Sequence, residues 1–476
     1  MKPIYSIFCR FLLVVFILIS YSDISQSQSP ISLYTKNNRY WQYKGEPVLL
    51  LGGSKGNYLF NLDSVEAHLD EMQEVGANYL RVTMGIWKGE HFERQPFKVL
   101  EGGKCDLDAW NESFWNKVTD VFKWANERDI IIQLELWDRF NYSRDTWKGC
   151  PYNPAVNINY TYAESGFDTV YPKHPYWDEQ PFFHTIPGMP QYRPELDTVR
   201  FYQEKFIDKL LGLTFQYNNI LYCMNNETST PTEWGLYWMD YIKQKAGQAN
   251  KEVYVTDMFD EWFHPRTCDP CWQAFEEYEK YDYLDISQIN SRLINQAHWD
   301  SLQWILNQRE EYPVIRPANN TKVYGGPEYR DIFGSAKDGV EKFCRNIIGG
   351  CASARFHRPD AGHGLNQVAQ NVISAIRKVE TYVKLWEVSP AMELLSERKE
   401  DEAYLTTNEG SKYLLYFPSD GNIKLDLTSF KGIRFSGQWI SVNTGDWGDV
   451  ITVEGGTNVS LQTPDDKGWF AVFIKK

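Results

Sequence analysis

The sequence predicts an α/β protein, a (β/α)8 TIM barrel followed by a small C-terminal antiparallel β-sandwich. Three observations predict it. Apolar runs of strand length recur eight times, each followed by a loop and a segment of helical period, which is the pattern of parallel βα units. The 476 residues exceed what one core of about 250 to 300 residues holds, so a large and a small domain are expected. From about Ser389 the pattern changes to short alternating runs broken by Gly, Asp and Asn, as in antiparallel sheets.

In chain order, Lys2 and Arg10 precede the apolar run FLLVVFILIS, Phe11 to Ser20, and a Ser/Gln-rich stretch follows it. This reads as a signal peptide over residues 1–27, too short to span a bilayer, and it places the mature chain outside the cell or in the periplasm. The barrel is assigned to residues 28–388. Its strand candidates are PVLLLGG (Pro47 to Gly53), ANYLRVTM (Ala77 to Met84), DIIIQLEL (Asp129 to Leu136), NILYCMNNE (Asn219 to Glu227), EVYVTDMF (Glu252 to Phe259), YLDISQIN (Tyr283 to Asn290), TKVYGGPE (Thr321 to Glu328) and GCASARFH (Gly350 to His357). Segments such as LDSVEAHLDEMQEVG and SFWNKVTDVFKWANERD carry the helical period between them. From Gln133 to about Asp197 the chain is rich in Tyr, Trp, Pro and His without helical period. A stretch of that length in a compact domain reads as a functional insertion walling a cleft, or as a structural extension. Residues 389–476 hold the runs AYLTT, KYLLYFP, IKLDL, GQWISV and WFAVFI of the sandwich.

Formal charge is −14, and losing Lys2, Arg10 and Asp23 with the signal makes it −15, which argues against a nucleic-acid partner. Aromatic residues make up 16 %, with 18 Trp and 30 Tyr, more than a core of aliphatic residues needs and of use in a sugar-binding cleft. Without Cys9, seven cysteines remain, so at least one thiol is free. Cys268 and Cys271, in TCDPC, lack the second pair of ligands that zinc needs. They read as a local disulfide or as two reduced loop thiols, and no metal or cofactor is expected.

The chemistry-bearing residues gather at predicted strand ends, where a barrel places its ligands. Glu227 ends the fourth run in CMNNET, and Glu328 ends the seventh in YGGPEY. Cleavage of a glycosidic bond with retention needs two carboxyl groups about 5 to 5.5 Å apart, one acid/base and one nucleophile. Asn-Glu at the end of strand four and Glu at the end of strand seven resemble clan A glycoside hydrolases. The resemblance implies Glu227 as acid/base, Asn226 as a sugar ligand and Glu328 as nucleophile. Arg81 in YLRVTM matches the strand-two Arg that many members hold against the nucleophile, where it would keep Glu328 ionised while Glu227 rests protonated. One of the strand-five acids in DMFDEWFHPR (Asp257, Asp260, Glu261) is an alternative to Glu227.

The stretch LLYFPSDGNIKLDLTSFKGIRFSGQWISVNTGD resembles the collagen-binding-type sandwich that follows the barrel in apiosidase-like glycoside hydrolases. That name is no evidence for collagen binding, and the module reads first as a brace for the barrel. The first strand runs into GGSKGNYLF rather than the Gly-Asp-Thr-Ala-Trp type of motif of those barrels, and their acid/base position is often Asp. Apiose as substrate is therefore not carried over.

Further strand-end residues are expected to line sugar subsites. They are Trp87 after strand two, Trp137, Asp138 and Arg139 after strand three, Asp257 on strand five, Asn290 and Arg292 after strand six, Tyr329 after strand seven, and Arg355 and His357 on strand eight. The arginines, with Arg358, suggest an anionic sugar, a uronate or a sulfate ester; alternatively they neutralise the site's own acids. The expected activity is that of a retaining glycoside hydrolase on a plant or algal polysaccharide or oligosaccharide. A polysaccharide lyase and a non-catalytic glycan-binding protein are the competing readings.

Overall fold

The computed structural model describes residues 29–56, 59–62, 64–84, 95–261, 268–327, 331–408 and 410–476. The leader assigned to residues 1–27 lies outside them. A three-stranded antiparallel meander, Ser32–Leu33, Trp41–Tyr43 and Glu46–Val48, precedes eight parallel strands. These are β1 (Leu50–Gly53), β2 (Tyr79–Thr83), β3 (Ile131–Asp138), β4 (Ile220–Asn226), β5 (Val255–Thr256), β6 (Leu284–Asp285), β7 (Ala318–Asn319) and β8 (Ser353–Phe356). One helix of two or more turns follows each strand: α1 (Val65–Glu74), α2 (Glu112–Glu127), α3 (Leu196–Thr214), α4 (Thr232–Gln248), α5 (Asp269–Glu276), α6 (Asn295–Glu310), α7 (Ala336–Gly349) and α8 (Gln367–Val379).

The ladders run β2–β3–β4–β5, β6–β7 and β8–β1, all parallel. No single ladder runs unbroken around the ring. Individual backbone bonds bridge the gaps: Asn78 N–H to Leu51 O (2.8 Å), Asp282 N–H to Val255 O (2.9 Å) and Ala352 N–H to Ala318 O (2.9 Å). The arrangement is that of a TIM barrel. Close approach explains the glycines of β1, because a Cβ on Gly52 would lie 1.9 Å from the carbonyl oxygen of Tyr79. Helix starts follow their caps: Asn111 accepts from the backbone of Phe114 before α2, and Ser335 with Asp338 forms a capping box on α7.

Strand seven departs from the sequence reading. Its described part, Thr321 to Pro327, is a loop, joined to the ring by the bridge of Val323 to Phe356, and β7 is the preceding pair Ala318–Asn319. Thr321 and Lys322 therefore sit at the carboxyl end of the strand. The two glycines pack this loop on its neighbours: Gly325 has φ +105°, and a Cβ on Gly326 would stand 2.2 Å from the carbonyl of Gly362.

The C-terminal strands are β9 (Ser389–Pro390), β10 (Leu395–Ser396), β11 (Tyr404–Asn408), β12 (Lys412–Phe417), β13 (Asn422–Asp426), β14 (Arg434–Ser441), β15 (Trp447–Glu454), β16 (Asn458–Gln462) and β17 (Trp469–Lys475). They form antiparallel sheets in the orders β9–β11–β12–β17–β14–β15 and β10–β13–β16. Leu405, Leu415, Phe417, Ile423, Leu425 and Phe473 fill the space between the sheets. Alternate residues Tyr404, Leu414, Tyr416, Phe470 and Val472 join the barrel's core instead, as the two-residue period of a strand dictates.

Candidate active site

At the carboxyl end of β4 the chain turns sharply, and Glu227 adopts a left-handed conformation with φ +59°. That backbone is costly for a residue with a Cβ and tends to mark functional positions. Its carboxylate accepts three bonds on Oε1: from Lys322 Nζ (2.6 Å), Gln288 Nε2 (3.0 Å) and the Tyr324 hydroxyl (3.2 Å). Lys322 is only 1 % exposed and also donates to Asn226 Oδ1 (2.5 Å). Asn226 Nδ2 donates in turn to Asp138 Oδ1 (3.0 Å). Strands three, four and seven are thus stitched together through one ammonium group.

Beside this chain of bonds, Arg139 pairs with Asp260 (2.8 Å) and lies 4.8 Å beneath the ring of Tyr176. The backbone N–H of Asp260 donates to Thr228 O (3.2 Å), which holds the β5 loop against the Glu227 turn. Burial drives the Glu227 carboxyl upward, but Lys322, with Arg139 and Arg81 behind it, outweighs burial and leaves Glu227 below the ordinary carboxylate range. Asp260 moves the other way, raised by burial and by the charge of Glu227 against the pull of Arg139 and Lys322. Against the expectation that Glu227 rests protonated, the Lys322 ammonium favours its ionised form, and burial beside Glu227 favours the proton on Asp260.

The structure redistributes the other expected residues. Glu328, Tyr329 and Trp87 lie outside the described residues, so the distance between the two glutamates and the contacts of Glu328 lie there too. Arg81 makes a two-pronged, fully buried pair with Glu135, to which Thr83 also donates (2.7 Å). Asp257 faces the protein, accepting from the backbone of Asn225 (3.1 Å) and Met258 (2.9 Å) and from Thr228 Oγ1 (2.7 Å). It braces the Glu227 turn from below, and burial pushes its carboxyl up to about 7.

Four expected ligands belong to the interior. Trp137 is buried among Tyr152, Phe182, Phe206, Trp234 and Trp238, so its ring has no face left for a sugar. Asn290 is spent on Ser287 O, Asn320, Asn346 and His298. Arg355 is fully buried, donates to Thr321 O (2.7 Å) and to Ser54 Oγ, and is pushed down to about 9 by burial and by Arg81. His357 is buried with its ring 4.8 Å from that of Tyr324, and burial keeps it neutral. Arg358 pairs with Asp360, while Arg292 is exposed after β6. Cys268 and Cys271 form a disulfide, and among the described residues no cluster of His, Cys, Asp or Glu has the makings of a metal site.

Lys322, Gln288, Tyr324, Glu135 and Tyr176 escaped the sequence reading. The available signal was a lysine within an otherwise apolar and glycine-rich run, since a buried lysine requires an acid beside it. A hollow of about 490 Å³ lined by Tyr43, Asn78, Arg128 and Arg377 lies at the opposite, amino end of the strands and holds none of these groups.

No family model matches the chain. Solved structures share its fold. A glycoside hydrolase family 5 protein from Bacteroides vulgatus ATCC 8482 superposes with a TM-score of 0.62 at 13 % identity, over 94 % of this chain and 93 % of that one. A second glycoside hydrolase from the same organism gives 0.58 at 11 % identity over 95 % and 83 %. An alpha-amylase from Geobacillus thermoleovorans gives 0.51 at 12 % over 89 % and 93 %. Likeness at such identities establishes the fold; the chemistry rests on the site.

Proposed function

We propose that the chain is a glycoside hydrolase whose chemistry centres on Glu227. The observation that carries the reading is the strained turn at the end of β4, which presents one carboxylate to three donors at the barrel's carboxyl end. Glycoside hydrolases among the structural neighbours support it. The proposed reaction is retaining: Glu328 attacks the anomeric carbon while Glu227 protonates the departing oxygen, and Glu227 then takes a proton from the water that releases the sugar. In that role Glu227 must carry a proton when the bond breaks, so Lys322 has to move off its carboxylate or yield the proton to it.

A second reading is favoured by the Asp260 environment, a buried carboxyl raised beside an ionised Glu227. Here Asp260 gives the proton and Glu227 acts as the anion.

The proposed substrate is a plant or algal glycan. An anionic sugar, a uronate or a sulfate ester, is part of the proposal, with the exposed Arg292 after β6 as the cation to test. Export through the N-terminal leader is part of the proposal, as is the sandwich acting to brace the barrel on which it packs.

The test is a panel of plant and algal polysaccharides. The expected result is new reducing ends with no unsaturated sugar, and α/β analysis of the first product by NMR showing the anomeric configuration of the substrate. An unsaturated product would make the chain a lyase, and no cleavage together with tight binding would make it a glycan-binding protein.

A further inference from the structure

The insertion between β3 and α3 is unusually aromatic, and most of its rings are core. Tyr142, Tyr152, Phe182 and Phe183 are buried and pack on one another below the insertion. Two neighbours behave differently: Tyr176 is 53 % exposed and Trp177 is 69 % exposed. A single exposed aromatic residue is ordinary. What distinguishes these is where they stand and how firmly they are held.

Both rings belong to the one-turn helix Pro175–Trp177. Ser229 Oγ, two residues from Glu227, donates to Pro175 O (3.1 Å). The backbone of Trp177 donates to His174 O (3.0 Å) and that of Asp178 to Pro175 O (3.0 Å), while the Asp178 carboxylate pairs with His184 (3.0 Å). The Tyr176 ring lies over Arg139 on one side and has His174 at 4.1 Å. The turn is therefore tied to the β4 loop by Ser229 and packs on Arg139, which pairs with Asp260 of the β5 loop. Having used Tyr176 to cover Arg139, it leaves the next ring, Trp177, exposed on a turn that is bonded to the chain two residues from Glu227.

We infer that Trp177 is a sugar-binding subsite, its indole stacking on the apolar face of a pyranose ring in a glycan chain that runs out past Glu227. The inference rests on the glycoside hydrolase reading for the nature of the ligand. An aromatic side chain with only two torsions, on a hydrogen-bonded turn, suits this role because little freedom is lost when the sugar docks. Stacking on such a ring is worth about five- to ten-fold in affinity, in line with aromatic contacts elsewhere.

The test uses the full chain in native gels cast with each of a set of soluble plant and algal polysaccharides, comparing wild type, E227Q and W177A. Cleavage of the same polysaccharides is measured in parallel. The expected result is that a polysaccharide retarding wild type and E227Q alike retards W177A with about five- to ten-fold weaker affinity. W177F should recover part of the loss. Equal retardation of wild type and W177A would overturn the subsite and leave the hydrolase reading intact. Retardation that depends on Trp177, with no glycan cleaved by wild type, would overturn the hydrolase reading and keep the subsite. Absence of retardation by any polysaccharide would overturn the subsite.

Discussion

Replacing Lys322 by Met removes the ammonium from a buried pair and keeps most of the side chain's volume. At 2.6 Å the two charges attract by about 6 kcal/mol at an effective dielectric of 20, offset in the native protein by the desolvation of both. Stripping one partner from such a pair costs about 3 to 5 kcal/mol. Glu227 keeps the neutral donors Gln288 and Tyr324, which do not hold a charge as an ammonium does. The carboxyl should then move from below its ordinary range to above it. The sign of the pH dependence follows. In the native protein the lowered Glu227 contributes stability above its unfolded pKa and loses it as pH falls through the folded value. In K322M the cost is present at neutral pH and is relieved as pH falls through the raised value. Urea unfolding at several pH values should show K322M about 3 kcal/mol less stable near pH 8, with the deficit shrinking toward about pH 5. The double variant K322M/E227Q should recover much of the loss near pH 8. A deficit that is the same at every pH, or no recovery in the double variant, would refute the charge argument and make Lys322 a packing residue.

Asp260→Asn should cost about a hundred-fold or more on glycosides with poor leaving groups and little on activated aryl glycosides if Asp260 supplies the proton; equal losses on both would return that role to Glu227. Asp257→Asn should flatten the gain in stability that wild type shows as pH falls through about 7, because the native carboxyl is raised to that value by burial; an unchanged pH profile would show that the group is not strained when charged. Arg355→Met should lower stability by about 2 to 3 kcal/mol through its lost bonds to Thr321 and Ser54, without discriminating charged from neutral glycans; selective loss on a charged glycan would restore it as a substrate ligand.

Seven of the eight βα units and the sandwich were legible because each depends on a short-range period. The place of Glu227 was legible because Asn-Asn-Glu closes an apolar run, and that run is the fourth strand. Side-chain direction was not. Trp137 and Arg355 stand on strands whose every residue is buried, so strand position alone could not separate the mouth of the barrel from its interior. Strand seven failed for a different reason. Ala318–Asn319 is too short and polar to register as a run, whereas TKVYGGPE has apolar content but is bent by its glycines. That slip hid Lys322, the residue whose ammonium pairs with Glu227. A contact between residues 95 positions apart leaves no local trace in the sequence.

The central claim, that Glu227 is the catalytic carboxyl of a glycosidase, is tested most directly by azide trapping. Glu227→Ala should lose activity on natural glycans, and with an activated aryl glycoside added azide should restore turnover and yield a glycosyl azide of the substrate's own anomeric configuration. Wild-type rates from Glu227→Ala on the natural glycan, with no azide product, would contradict the account.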